Sequence, residues 1–101
     1  MVKFEGYEFV DGGVCAAEGF TAAGVIAGIK AGNTTKRDLA MIFCAERCKA
    51  AALYTTNKVK GAPIYVTKKH LEDGYAQAVI VNSGNANTCN ENGIEIAEQM
   101  C

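Results

Sequence analysis

The residues best suited to chemistry stand where an apolar stretch stops. Val81-Asn82-Ser83-Gly84-Asn85-Ala86-Asn87 places three Asn, one Ser and one Gly directly after Ala76–Val81. Asn side chains tolerate left-handed backbone and bond nearby amides. They also offer paired donors and acceptors to a ligand, and ligands often bind beyond strand ends. Ser83 and Gly84 let the chain turn tightly, and Asn85 and Asn87 can cross-bond that turn. An Asx-turn loop that satisfies only its own backbone has the same composition, and composition by itself favours it. Tyr54-Thr55-Thr56-Asn57 is a second polar strand end, with an ordinary turn as its simpler reading. Cys44 and Cys48 are separated by three residues, but zinc needs more ligands and the only histidine is His70. No metal is expected. Nothing in the sequence brings Cys44 and His70 together as a nucleophile pair. Gly24 and Gly28 form no phosphate-binding fingerprint, and no Gly-Lys-Ser/Thr occurs.

The elements that must position these residues follow from periodicity. Phe20–Lys30 is apolar on both alternating faces and reads as a buried strand, because Gly24 and Gly28 would weaken a helix. Residues 31–38, AGNTTKRD, form a turn. Leu39–Cys44 is a second strand. Glu46-Arg47 breaks it, and Ala50–Thr56 is a third strand, or the start of a helix. Consecutive antiparallel strands are the expected picture. Pro63 limits the middle of the chain, with residues 64–66 extended and a helix after them, N-capped by Thr67 and ended by Gly74. Ala76–Val81 is the clearest strand. Asn92–Cys101 is helical, with Ile94, Ala97 and Cys101 on one face. Thr88 and Glu91 match a capping box ahead of it.

Composition bounds the rest. The chain has 101 residues, half of them hydrophobic, which suits one small globular domain. Alanine and glycine leave little bulk, so Phe4, Phe9, Phe20, Phe43 and the four tyrosines must carry much of the packing. Net charge is -1 and the ten basic residues are spread out, which argues against nucleic acid. No apolar run approaches the roughly 20 residues of a membrane span, and the opening residues are not a signal peptide. A cytoplasmic location is expected. Five cysteines, an odd number at irregular spacing, point to reduced thiols acting mostly as small buried hydrophobes. The pattern ends on Cys101 with no helix-stopping residue, and truncation at the C-terminus is expected.

Three segments carry a family resemblance. GGVCAAEGFTAAGVIAGIK at 12–30, LYTTNKVKGAPIYVTKKHL at 53–71 and AQAVIVNSGNANTC at 76–89 resemble the amino-terminal part of the glutamate N-acetyltransferase (ornithine acetyltransferase) family, in order and at about its spacing. The resemblance implies an α/β (α+β) fold of layered sheets flanked by helices, similar to N-terminal-nucleophile aminopeptidases and incomplete here. Residues 1–101 would then be the N-terminal part of a single acetyltransferase domain. It implies a precursor that cuts itself between Ala and Thr into α and β chains, in an α2β2 heterotetramer. The freed Thr takes an acetyl group from N-acetylornithine and passes it to glutamate, its own amine serving as base. A Thr-Gly pair stabilises the oxyanion. Some members use acetyl-CoA as donor, and no cofactor is implied.

This chain has neither an Ala-Thr nor a Thr-Gly dipeptide, so it holds none of the catalytic residues. Asn82, Ser83, Gly84, Asn85 and Asn87 would shape the active-site wall, bracing the site more than touching substrate. Two other readings stand beside this one. One is a standalone binding or structural module without catalysis. The other is a related aminopeptidase, which the NSGNAN and Thr-Thr-Asn matches disfavour.

Overall fold

The computed structural model describes residues 5–101, so Phe4 lies outside the described residues. Three strands, β1 (Phe20–Val25), β2 (Leu39–Lys49) and β3 (Tyr75–Asn82), form one antiparallel sheet in the order β1-β2-β3. Two helices complete this small α+β unit, α1 (Ala62–His70) and α2 (Gly93–Met100), with a short 3-10 turn at Gly13–Ala16. The layered sheets expected from the family resemblance are not formed by the described residues, which make a single sheet.

The register fixes where the loops meet. Leu39 is the end rung of both ladders, opposite Val25 on β1 and opposite Asn82 on β3. The turn before β2 and the NSGNAN loop after β3 therefore emerge at one end of the sheet. At the other end β2 does not stop at Glu46-Arg47, as composition suggested. Phe43 pairs with Ala78 and Cys48 with Ala76, so the residues between them on β2 bulge out of the ladder. Gln77 holds the bulge, its Nε2 donating to the carbonyls of Cys44 and Ala45, each at 3.3 Å. A polar pair that looks like a strand break is absorbed as a bulge, because the strands resume pairing beyond it.

Three other expectations give way. Ala50–Thr56 is neither strand nor helix, and Leu53 in its middle is fully exposed; the segment has no ladder partner. The helix before β3 starts at Ala62 rather than after Thr67, with Pro63 in its first turn. Proline suits that position because its missing N–H would have no helical partner there. Thr67 falls inside the helix, while Gly74, at φ 75°, ends the turn into β3 and donates to the Leu71 carbonyl. The capping box is not formed. Asn92 precedes α2 without a side-chain cap, and the Thr88 hydroxyl donates to the Ala86 carbonyl instead.

The buried apolar side chains are small: Cys44, Ala62, Val66 and Ala97. Aromatic residues do not form the centre, since Tyr7, Phe9, Phe43 and Tyr65 are exposed, and β1 is open on most positions rather than buried. Of the predicted α2 face, Ala97 is buried whereas Ile94 and Cys101 are exposed. All five cysteines are free, but only Cys44 is buried, so most are not core hydrophobes. The helices are joined by Glu98, which meets His70 Nε2 at 3.0 Å and Lys69 Nζ at 4.0 Å. Arg47 bonds Asp73 at 2.6 Å and lies over the Tyr75 ring, tying the bulge to the turn before β3.

So thin a core makes each buried methyl count. Val66, 3% exposed on α1, should lose about 2 kcal/mol on Val66→Ala, whereas Leu53→Ala should stay within about 0.5 kcal/mol. Urea unfolding of both variants checks the contrast, and equal losses would contradict this view of the core.

Candidate functional site

The NSGNAN loop is built outward from one acidic residue. Asp38 is buried, the last residue before β2. Its N–H donates to the Val25 carbonyl at 3.0 Å, and its own carbonyl accepts the Ser83 N–H at 2.8 Å. The sheet is thus extended by one rung on both sides of β2. Its carboxylate accepts the Ala27 N–H at 2.6 Å, the Ile29 N–H at 2.9 Å and the Asn33 side-chain amide at 3.1 Å. The Ala27 N–H above all holds this carboxyl below its ordinary range. Burial opposes it, and the Asn33 and Ile29 bonds add to the lowering. Asn33 is itself locked, donating to the Lys36 carbonyl and accepting the Lys36 N–H.

Beyond Ser83 the loop is cross-bonded as its composition suggested. The Asn85 N–H donates to Asn82 Oδ1 at 3.3 Å, and the Asn87 N–H to Asn85 Oδ1 at 3.0 Å. Asn82 also approaches the Met100 sulfur on α2 at 3.9 Å. Gly84 turns at φ 124°, where only glycine is comfortable, and a Cβ there would lie 3.0 Å from Lys30 Cβ and 3.2 Å from Lys30 N. The chain before β2 and the loop after β3 touch at that point.

Asn87 is 5% exposed and adopts a left-handed conformation at φ 52°. Its Nδ2 donates to the Gly93 carbonyl at 2.8 Å, its Oδ1 accepts from Asn90 at 2.9 Å, and its carbonyl accepts the Ala62 N–H at 3.0 Å. One residue thereby ties the loop to the first turns of α1 and α2. Gly93 allows this, because a Cβ there would sit 2.9 Å from Asn87 Oδ1 and 3.0 Å from Ala62 Cβ. A cleft of about 570 Å³ opens beside this junction, lined by Lys60, Tyr65, Asn87, Asn90 and Gly93 among others. Lys60 lies 5.4 Å from the centre of the Tyr65 ring.

Five predicted residues, Asn82, Ser83, Gly84, Asn85 and Asn87, thus form one bonded loop. The other candidates lie apart from it. Tyr54 sits under Lys68 of α1, at 5.9 Å, and Thr55 accepts the Asn57 N–H in a local turn. His70 pairs with Glu98 rather than with Cys44. Cys48 has its thiol pushed up, first by its hydrogen bond to Cys44 and then by burial. Among the described residues no group of three His, Cys, Asp or Glu could hold a metal ion, and no helix is long and apolar enough to cross a membrane. Sequence reading missed Asp38, Gly93 and Gln77. Asp38 had one signal, an Asp at the junction of a Gly-Asn turn and a strand, where carboxylates often accept backbone N–H groups.

Against known proteins, the model of the ArgJ family matches residues 21–101. The chain belongs to the ArgJ family. It is 47% identical over 94 residues to the arginine biosynthesis bifunctional protein ArgJ of Symbiobacterium thermophilum, covering 92% of this chain and 23% of that protein. The corresponding ArgJ protein of Caldanaerobacter subterraneus is 45% identical over the same span. Two solved structures share the fold. The ArgJ protein of Bacillus halodurans aligns with a TM-score of 0.76 at 41% identity, over 84% of this chain and 44% of that one. The ornithine acetyltransferase of Mycobacterium tuberculosis, solved with ornithine, aligns at 0.73 and 44% identity, over 83% and 44%. The chain spans about a quarter of the length of the curated ArgJ relatives it matches. The family resemblance drawn from the three motifs holds.

Two outcomes follow from this geometry. Asn87→Ala should destabilise the chain by about 2–3 kcal/mol, because it strands partners on both helices, while Asn85→Ala should cost about 1 kcal/mol. Chemical denaturation measures both, and the reverse ranking would refute the assignment. For Asp38 the folded-state value is depressed, so its stabilisation is complete above the unfolded value of about 3.9 and is lost as pH falls through the lower folded value. The gap in stability between wild type and Asp38→Asn should therefore be constant above about pH 5 and shrink toward acid. A gap that widens in acid would contradict it.

Proposed function

We propose that this chain is the amino-terminal part of an arginine-biosynthesis acetyltransferase that moves an acetyl group from N-acetylornithine to glutamate, with acetyl-CoA as a further donor in some members. The nucleophilic threonine and the oxyanion Thr-Gly pair belong to sequence beyond these 101 residues, and the chain alone is inactive. The observation that carries this reading is its alignment with the ornithine-bound Mycobacterium tuberculosis enzyme at 44% identity and a TM-score of 0.73. The order of the three motifs supports it as well.

In this reading residues 1–101 are one part of a single acetyltransferase domain. The rest of the α chain and the β chain complete the layered fold around the present sheet and assemble as α2β2 in the cytoplasm. Asn82, Ser83, Gly84, Asn85 and Asn87 form a wall of the active site. The bonding of Asn87 supports bracing for that residue, since its side-chain oxygen and nitrogen are both engaged within the protein. A catalytic constellation needs such support, because small errors of position cost large factors in rate.

The test is a chimera in which this chain replaces the matching segment of the Symbiobacterium thermophilum relative. It should cleave itself and transfer acetyl from N-acetylornithine to glutamate, while the 101-residue chain alone should show no turnover above background. A chimera that folds and cleaves but transfers nothing, or turnover by the isolated chain, would overturn the reading.

A further inference from the structure

The bulge in β2 brings two thiols together. On a straight strand Cys44 and Cys48 would stand about 13 Å apart, at about 3.3 Å for each residue. A disulfide needs its Cα atoms within about 7 Å. The ladder removes the excess. Phe43 pairs with Ala78 and Cys48 with Ala76, so this stretch of β2 lies against only two steps of β3, about 7 Å. The chain between them must fold back on itself opposite Gln77. The Gln77 side chain clasps that fold through the carbonyls of Cys44 and Ala45. Within it the Cys48 thiol turns inward, donating to the Glu46 carbonyl at 3.4 Å, and it is hydrogen-bonded to Cys44. Cys44 is buried, with its sulfur 3.6 Å from the place of a Cβ on Gly19. Cys48 is half-buried, and Cys15, Cys89 and Cys101 are exposed.

We propose that Cys44 and Cys48 form a reversible disulfide that locks the β2 bulge when the chain meets a peroxide. The proposal is independent of the acetyltransferase reading. Cys48, the more accessible of the two, is attacked first. Its sulfur takes one peroxide oxygen as a sulfenic acid, the O–O bond breaks, and the other oxygen leaves as water with the thiol proton. Cys44 then attacks the Cys48 sulfur. An S–S bond forms, the S–O bond breaks, and the hydroxyl leaves as water with the Cys44 proton. Two thiols are oxidised and one hydrogen peroxide is reduced to two waters. The bond to Cys44, with burial behind it, pushes the Cys48 thiol up. Little of it is then thiolate at neutral pH, so the pair stays reduced until an oxidant is present.

The experiment treats the dilute 101-residue chain with hydrogen peroxide at mildly alkaline pH. Remaining thiols are capped with iodoacetamide in urea, and the chain is cut with trypsin. Trypsin cuts after Arg37, Arg47 and Lys49, so the disulfide joins residues 38–47 to residues 48–49 and is read directly by mass. This linked peptide should exceed every other cysteine pairing about tenfold, as expected for groups held in place, and dithiothreitol should abolish it. Oxidation in urea should remove that excess, and Gln77→Ala, which loses the clasp on the bulge, should lower the yield several-fold. Cys48→Ser should leave Cys44 unlinked and capped. Capping of both Cys44 and Cys48 after peroxide, pairing of either with Cys15, Cys89 or Cys101 instead, or the same excess in urea overturns the inference.

Discussion

The Asp38 peptide unit and carboxylate tie together more of this chain than any other single residue. The backbone of Asp38 adds a rung between β1 and β3, and its side chain gathers the connection that precedes β2. A buried carboxylate is costly unless its charge is met by hydrogen bonds. Here the donors are the amides of Ala27 and Ile29 and the side chain of Asn33, so the cost of burial is offset by ordering a segment with few apolar contacts of its own. Without that anchor the stretch between the first two strands, residues 26–38, would be an ordinary long loop, and the NSGNAN loop would lose its contact with it.

A second polar junction plays the same part for the helices. Asn87 joins α1 and α2 through bonds to Ala62 and Gly93, and the hydrogen bond between His70 and Glu98 ties them again farther along α1. The first bond set is buried and the second is exposed, so the first contributes more to specifying the arrangement. Few large apolar side chains are buried, and hydrogen-bonded polar groups therefore define much of the geometry. Val79, Val81 and Phe43 stay exposed on the sheet.

Much of the fold was legible in the sequence. β3 and the loop after it follow from an abrupt change from apolar to small polar residues, and α2 from apolar spacing at three and four. The first part of β2 was legible for the same reason. The extension of β2 through Glu46-Arg47 was not, since only the renewed pairing of Cys48 with Ala76 shows that the polar pair bulges out. Ala50–Thr56 has the composition of a strand and no strand to pair with. A β-propensity is realised only where a neighbour supplies the ladder.

The sequence by itself determined the family and the identity of the loop, because three motifs in a fixed order are a local property that needs no folding to be read. It also determined that the loop would bond to itself, since Asn82, Asn85 and Asn87 lie within reach of each other's backbone in any tight turn. Tertiary structure alone decided that Asp38 anchors the loop, that Lys30 packs on Gly84 and that Gly93 makes room for Asn87. Each of these joins residues through backbone groups, which every residue carries and no sequence pattern marks. Which carbonyl meets which amide is set by register, and the register was fixed by Leu39 standing opposite both Val25 and Asn82.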